Sequence, residues 1–196
     1  MRILMIDACP RGADSRTLRM AEAFRERCLE RRPEVSWEIL RLDEMGLMPL
    51  TGETLAAREA LIAGGETGHP LFAPARAFRE ADMIVIAAPY WDFMFPASLK
   101  TFIEHICVRT LTFDYADDAP VGLCRAETLV YLTSAGGVME GHDHGFSYLR
   151  GVTGGLLGVR RFEEVRCEGL DMAGNDPQAL LADACRRARL LADALF

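Results

Sequence analysis

The run Met83-Ile84-Val85-Ile86-Ala87-Ala88 is apolar throughout and is cut off by Pro89. A strand without polar alternation has to be covered on both faces, as strands are in a parallel sheet between two layers of helices. Tyr90-Trp91-Asp92-Phe93-Met94-Phe95 then places four aromatics and one acid in six positions, and Pro96 suits the first position of a helix. Leu99, Phe102, Ile103 and Ile106 recur at i, i+3, i+4 and i+7, so that helix has one buried face. The aromatic segment is therefore a loop at the carboxyl end of a buried strand, where open α/β sheets bind their ligands. Flat side chains and free backbone groups at such a place suit a flat ligand.

The rest of the chain alternates in the same way. Ile3 to Ile6 reads as a first buried strand, and Ser15 to Arg31 as a helix with Met20, Ala21, Phe24 and Cys28 on its apolar face. Val35, Trp37 and Ile39 alternate with polar residues, as in a sheet-edge strand with one wet side. Between Thr51 and Ala81 the pattern predicts two short helices split by Gly64-Gly65 and Gly68-His69-Pro70. Leu129 to Leu132 predicts a fourth strand, Phe146 to Leu157 a glycine-punctuated helical stretch, and Arg160 to Cys167 a fifth strand. The closing helix carries Leu181, Ala184, Cys185, Ala188, Ala192 and Leu195 on one face. Five strands interleaved with helices imply an α/β fold whose parallel sheet is covered on both sides. No repeat, linker or low-complexity stretch interrupts residues 1–196, so one domain is expected.

A formal charge of -7 argues against a nucleic-acid backbone as partner, because basic residues would have to neutralise its phosphates. The cluster Arg186, Arg187 and Arg189 reads as the solvated face of the last helix. No apolar stretch reaches the ~20 residues of a spanning helix, so no membrane partner is expected. The first residues form a short strand pattern with flanking charges rather than a signal peptide. Cys9, Cys28, Cys107, Cys124, Cys167 and Cys185 stand apart, without a C-x-x-C pair or metal-ligand spacing. Neither a disulfide framework nor a metal site is expected, and a reducing cytoplasm is the default location.

Three loops fall at the carboxyl ends of predicted strands. Cys9-Pro10-Arg11-Gly12-Ala13-Asp14-Ser15-Arg16-Thr17 leads into the first helix. Hydroxyls and free amides at a helix N-terminus suit a phosphate, although Asp14 or Ser15 would serve equally as a plain cap. The loop holds neither G-x-G-x-x-G nor a Walker lysine, so a dinucleotide fold or a P-loop nucleotidase is not supported. The aromatic loop is the second, with packing over the next helix as its plain alternative. Ser134-Ala135-Gly136-Gly137 is the third, where paired glycines allow close backbone approach to a ligand or simply a turn. Their coincidence at one sheet edge points to one site.

In these pieces the chain resembles, over nearly its whole length, the flavodoxin-like FMN-dependent NAD(P)H oxidoreductases that include azoreductases and quinone reductases. Ser15-Arg16-Thr17 is similar to that family's S-x-S/T phosphate loop, and Pro89-Tyr90-Trp91-Asp92-Phe93 with Phe95-Pro96 and Leu99-Lys100 to its isoalloxazine segment. Thr112-Phe113-Asp114-Tyr115 with Gly122-Leu123 resembles its T-F-x-Y…G-L hairpin, Ser134-Ala135-Gly136-Gly137 its S/T-x-G-G loop, and Glu168-Gly169-Leu170 a segment after the last strand. The resemblance implies a flavodoxin-like five-stranded parallel sheet in the order 2-1-3-4-5, with helices on both faces. It implies FMN as cofactor, NADH or NADPH as donor, and a small quinone, azo or nitroaromatic acceptor reduced by ping-pong hydride transfer. The phosphate would be held by Ser15 and Thr17, at a loop that begins with Cys9. The ring would lie against Pro89, Tyr90, Trp91, Asp92 and Phe93, with Ser134, Gly136 and Gly137 at its pyrimidine end. Phe113 and Tyr115 would stand at a substrate opening, in this family often shared across a homodimer. Apart from the resemblance, His142 and His144 in Gly141-His142-Asp143-His144 could donate a proton or hydrogen bond to substrate, or simply form an exposed loop.

Two departures carry consequences. Cys9 stands where that family commonly has Ser, which weakens one phosphate contact, and Asp92 stands where Asn is frequent. An ionised Asp92 beside the ring would disfavour an anionic reduced flavin. No side chain is required as a nucleophile, because the cofactor carries the chemistry. A phosphatase or arsenate reductase with Cys9 as thiolate needs C-x5-R, and Arg16 falls one position late. An electron carrier or redox sensor of the same fold is the non-enzymatic alternative.

Overall fold

Odd and even positions of each apolar run face opposite sides of one sheet. The computed structural model describes residues 1–196. Its strands are β1 (Arg2–Asp7), β2 (Ser36–Arg41), β3 (Met83–Ala87), β4 (Phe113–Ala116), β5 (Ala119–Gly122), β6 (Thr128–Ser134) and β7 (Arg161–Cys167). Five are parallel in the order β2-β1-β3-β6-β7, while β4 and β5 form a separate antiparallel hairpin. Counted without the hairpin, this is the expected 2-1-3-4-5 order. The helices are α1 (Arg16–Arg31), α2 (Gly52–Ala63), α3 (Ala73–Glu80), α4 (Ala97–Ile106), α5 (His144–Leu149) and α6 (Pro177–Leu195), and a π-helical turn continues α5 to Gly154.

Ile3, Met5, Val85, Val130 and Leu132 pack with α1 and α6 on one face, burying Met20, Phe24, Leu181 and Ala188. Leu4, Ile6, Ile84, Ile86 and Tyr131 pack on the other face against Phe78, Leu99 and Phe102 of α3 and α4. Two cores of this size follow from period-two side chains in strands buried on both sides. Strand β2, paired only with β1, is partly buried from Trp37 to Leu40 without the expected alternation, because Leu40 packs on one core while Trp37 and Ile39 pack on the other.

Two local expectations change. Pro96 is the N-cap of α4, one position before the expected N1, with φ -55° and ψ 145°. The hairpin, visible in the sequence only through the resemblance, turns at Asp117 and Asp118, whose φ values of 50° and 62° give the primed turn that matches strand twist.

Candidate active site

The parallel ladder runs past the strand ends, and this sets where the loops leave the sheet. Ala8 N–H donates to Ala87 O at 2.9 Å, Ala88 N–H to Leu132 O at 3.1 Å, Tyr90 N–H to Ser134 O at 2.9 Å and Ala135 N–H to Cys167 O at 2.8 Å. The loops after β1, β3 and β6 are thereby held side by side. Between them lies a cleft open to solvent, with Ser15, Thr17, Pro89, Trp91, Ser134 and Gly136 in its wall.

Ser15 caps α1, its Oγ accepting the Leu18 N–H at 3.2 Å. The cap and the anion site are compatible, because a helix start has several unbonded N–H groups and the cap uses one. Thr17, the second residue of α1, is fully buried, and its Oγ1 lies 2.6 Å from Ser134 Oγ. Two loops are thus tied by a pair of hydroxyls at the base of the cleft. Arg16 projects from the same turn and pairs with Asp171 at 2.9 Å.

The aromatic loop is a tight turn in a costly conformation. Trp91 N–H donates to Met94 O at 3.1 Å and Met94 N–H to Trp91 O at 2.8 Å, with Asp92 at φ 49° and Phe93 at φ 65° between them. Asp tolerates a left-handed backbone, whereas a bulky aromatic there is a true outlier that costs on the order of 1–3 kcal/mol. The strain holds Phe93 outward at 56 % exposure, edge-on to Tyr90 at 6.4 Å and to His142 at 5.6 Å. Tyr90 Oη donates to His142 O at 3.2 Å, and His144 N–H donates to Phe93 O at 3.0 Å. The histidine loop is in turn anchored by Asp143, whose Oδ1 caps α5 through the Gly145 and Phe146 N–H groups. Its other oxygen lies 3.2 Å from Arg166, which also stands 2.7 Å from Glu164, close-range ion pairing without aligned hydrogen bonds. Burial pushes the Glu164 carboxyl up, with Arg166 opposing the shift.

A family model described as flavodoxin-like fold matches residues 1–191. The chain belongs to this flavodoxin-like family. It is 35% identical over 188 residues to FMN-dependent NADH:quinone oxidoreductase 2 of Clostridium acetobutylicum, covering 93% of this chain and 92% of that protein. It is 33% identical to FMN-dependent NADH:quinone oxidoreductase 3 of Pseudomonas aeruginosa, covering 96% and 91% of the two chains. The structure of an FMN-dependent NADH-azoreductase from Bacillus anthracis, solved in complex with FMN, superposes with a TM-score of 0.87 at 22% identity over 99% of this chain and 98% of that one. At that identity the likeness speaks for the fold.

In this flavodoxin-like chain the expected site residues divide into three groups. Ser15, Thr17, Pro89, Trp91, Ser134 and Gly136 line the cleft. Tyr90, Asp92, Phe93 and Gly137 sit on the bordering loops outside its wall, and His142 joins them through Phe93 and Tyr90. Phe113 and Tyr115 pack edge-on at 5.8 Å on the hairpin, also outside the wall.

A Cβ at Gly136 would lie 2.4 Å from Asp171 Oδ2, so this glycine of the cleft wall also makes space for that carboxylate. Gly137, by contrast, has open space where its Cβ would be. The Cys9 side chain is turned into the core, 4 % exposed, with Sγ donating to Ala87 O at 3.4 Å, so it offers the cleft no thiol. Burial pushes that thiol up to about 12, against partial relief from Ser15, so the nucleophilic thiolate of a phosphatase is not available at neutral pH. Iodoacetamide is therefore expected to leave Cys9 unmodified in the folded protein and to label it after denaturation. Peptide mass spectrometry reads this, and rapid labelling of the native chain would contradict the buried placement. Arg16 and Asp171 were not expected in the wall. Their pairing spans 155 positions and leaves no local pattern.

Proposed function

We propose that this chain is an oxidoreductase that binds FMN in the cleft and carries electrons from NADH to a small aromatic acceptor such as a quinone or an azo compound. The observation that carries this reading is the convergence of the buried Thr17–Ser134 hydroxyl pair, the start of α1 and the aromatic turn at one sheet edge. The naming of the curated relatives supports the same cofactor and donor.

The residues present fit the group. Ser15 and Thr17 hydroxyls, the first amides of α1 and the Arg16 guanidinium form a donor set for a phosphate. Trp91, 44 % exposed, offers a flat apolar surface, and the open space over Gly137 lets backbone approach a ring edge. Once bound, FMN supplies a two-electron centre that accepts hydride from a nicotinamide and gives it to an acceptor. This chain's residues bind and orient. Ser15 and Thr17 fix the phosphate end, with Thr17 tied to Ser134 at the base of the cleft, the strained turn holds Phe93 as a wall, and Tyr90 keeps the His142 loop beside it. A single opening serves donor and acceptor in turn, so the kinetics are ping-pong.

Exposed apolar residues on the bordering loops (Trp91, Phe93, Val138 and Met172) and on the hairpin (Tyr115 and Val121) support a homodimer that covers this edge. No helix is long and apolar enough to cross a membrane, and all six cysteines are free, which supports a reducing compartment such as the cytoplasm. The test is anaerobic mixing of the FMN-loaded protein with NADH and then with a benzoquinone. Bleaching of the flavin absorbance by NADH and its return with quinone are expected. Absence of bleaching would put an electron carrier or sensor in place of the enzyme.

Phe93→Gly separates strain from function. Asp-Gly is the preferred sequence for this turn, so the variant is expected to be more stable by about 1 kcal/mol in urea unfolding. Loss of the aromatic wall should lower kcat/KM for quinone about three- to tenfold, the worth of an aromatic contact. A less stable variant would show that Phe93 packing outweighs the backbone strain.

A further inference from the structure

Asp171 lies in the same cleft wall as Ser15 and Thr17, on the loop after β7. Its position is fixed twice. The Asp171 N–H donates to Gly136 O at 2.9 Å, and its Oδ2 fills the space that a Cβ on Gly136 would need. Its Oδ1 meets Arg16 Nη1 at 2.9 Å. Arg16 is the first residue of α1, beside the two hydroxyls that the donor set for a phosphate requires. Of the two arginines in the wall, Arg11 and Arg16, the one on α1 is thus already paired with a carboxylate of the chain itself. An arriving phosphate would meet the same carboxylate as a like charge.

We propose that Asp171 is a specificity-determining residue: it competes with the ligand's phosphate for Arg16 and so weakens the binding of a phosphorylated flavin relative to an unphosphorylated one. This rests on the reading of the cleft as an FMN site. On binding, Arg16 leaves Asp171 and pairs with the phosphate, while Asp171 remains over Gly136, held by its own backbone. The consequence is a cofactor that exchanges with solution more readily than the hydroxyl set alone would allow. Both side chains are partly exposed, so the effect is moderate and screened by salt.

The test uses apoprotein titrated with FMN and, separately, with riboflavin, following the quenching of flavin fluorescence. Asp171→Asn keeps the side-chain size and removes the charge. It is expected to tighten FMN about two- to fivefold at low salt and to leave riboflavin unchanged, with the gain shrinking in high salt. Arg16→Gln is expected to weaken FMN and again to leave riboflavin unchanged. Unchanged riboflavin binding shows in both variants that the fold and the ring site are intact. Weaker FMN binding by Asp171→Asn would overturn the proposal, since Asp171 would then be holding Arg16 in place for the phosphate. An equal change for both flavins, or no effect of Arg16→Gln, would also overturn it. Failure of the unsubstituted protein to bind either flavin would instead remove the reading of the cleft, and this inference with it.

Discussion

Thr17→Val is expected to weaken FMN binding about ten- to a hundredfold while leaving riboflavin binding unchanged. Valine matches threonine in shape, so the fully buried site stays filled. What disappears is the hydroxyl 2.6 Å from Ser134 Oγ. If Ser134 donates to Thr17, the Thr17 proton is free for a phosphate oxygen, and the two side chains act as a relay that one methyl interrupts. A hydrogen bond to a charged group contributes about 1.5–3 kcal/mol, and each ~1.4 kcal/mol is tenfold in affinity. Fluorescence titration of the two flavins reads the effect, with thermal unfolding of the apoprotein as the control for folding. Equal loss of FMN and riboflavin would place Thr17 at the ring, or in the fold alone, and not at the phosphate.

Gly122→Ala is expected to cost the fold about 3 kcal/mol or more. A Cβ at this position would come within 2.3 Å of Gly158 N and Leu157 C, which are backbone atoms that no rotamer change can move aside. The end of β5 therefore lies directly on the 157–158 backbone, and the hairpin bearing Phe113 and Tyr115 is fastened there. Overpacking typically costs 1–3 kcal/mol and more where backbone must shift. For a chain of this length that lowers Tm by about 6–12 °C. Gly151→Ala is the matching control, since nothing lies within 4 Å of its Cβ position. That variant is expected to be neutral or slightly stabilised, as alanine is the better helix former. A stable Gly122→Ala protein would mean the hairpin can lift away from its seat.

The contrast between these two glycines shows what sequence could and could not convey. Strands β1 and β3 were legible because burial on both sides forces a continuous apolar run, and α1, α4 and α6 because one buried face imposes a helical period. The aromatic turn was legible as a place, since Pro89 and Pro96 bracket it, but not as a strained one. Strain at Phe93 is a matter of φ, which residue type alone does not reveal. Gly136 and Gly122 look alike on the page, yet one makes room for Asp171 and the other for a distant backbone. Cys9 holds the position of a loop hydroxyl in the sequence, while its side chain follows the alternation of β1 into the core. The charged cluster of Asp143, Glu164 and Arg166 leaves no local pattern, because Glu164 and Arg166 lie in a strand and Asp143 in a loop some twenty positions away that only the fold brings beside it. Contacts between loops from far-apart segments, Arg16 to Asp171 above all, exist only once the sheet order has brought the strand ends together.

FMN is expected to lie in the cleft at the ends of β1, β3 and β6, with its phosphate at the start of α1. A crystal structure of the protein grown with FMN tests this most directly. The predicted result places phosphate oxygens within about 3 Å of the Ser15 and Thr17 hydroxyls, with the ring against the turn from Trp91 to Phe93. A flavin found elsewhere on the molecule, or a phosphate pointing away from Ser15 and Thr17, would contradict the account.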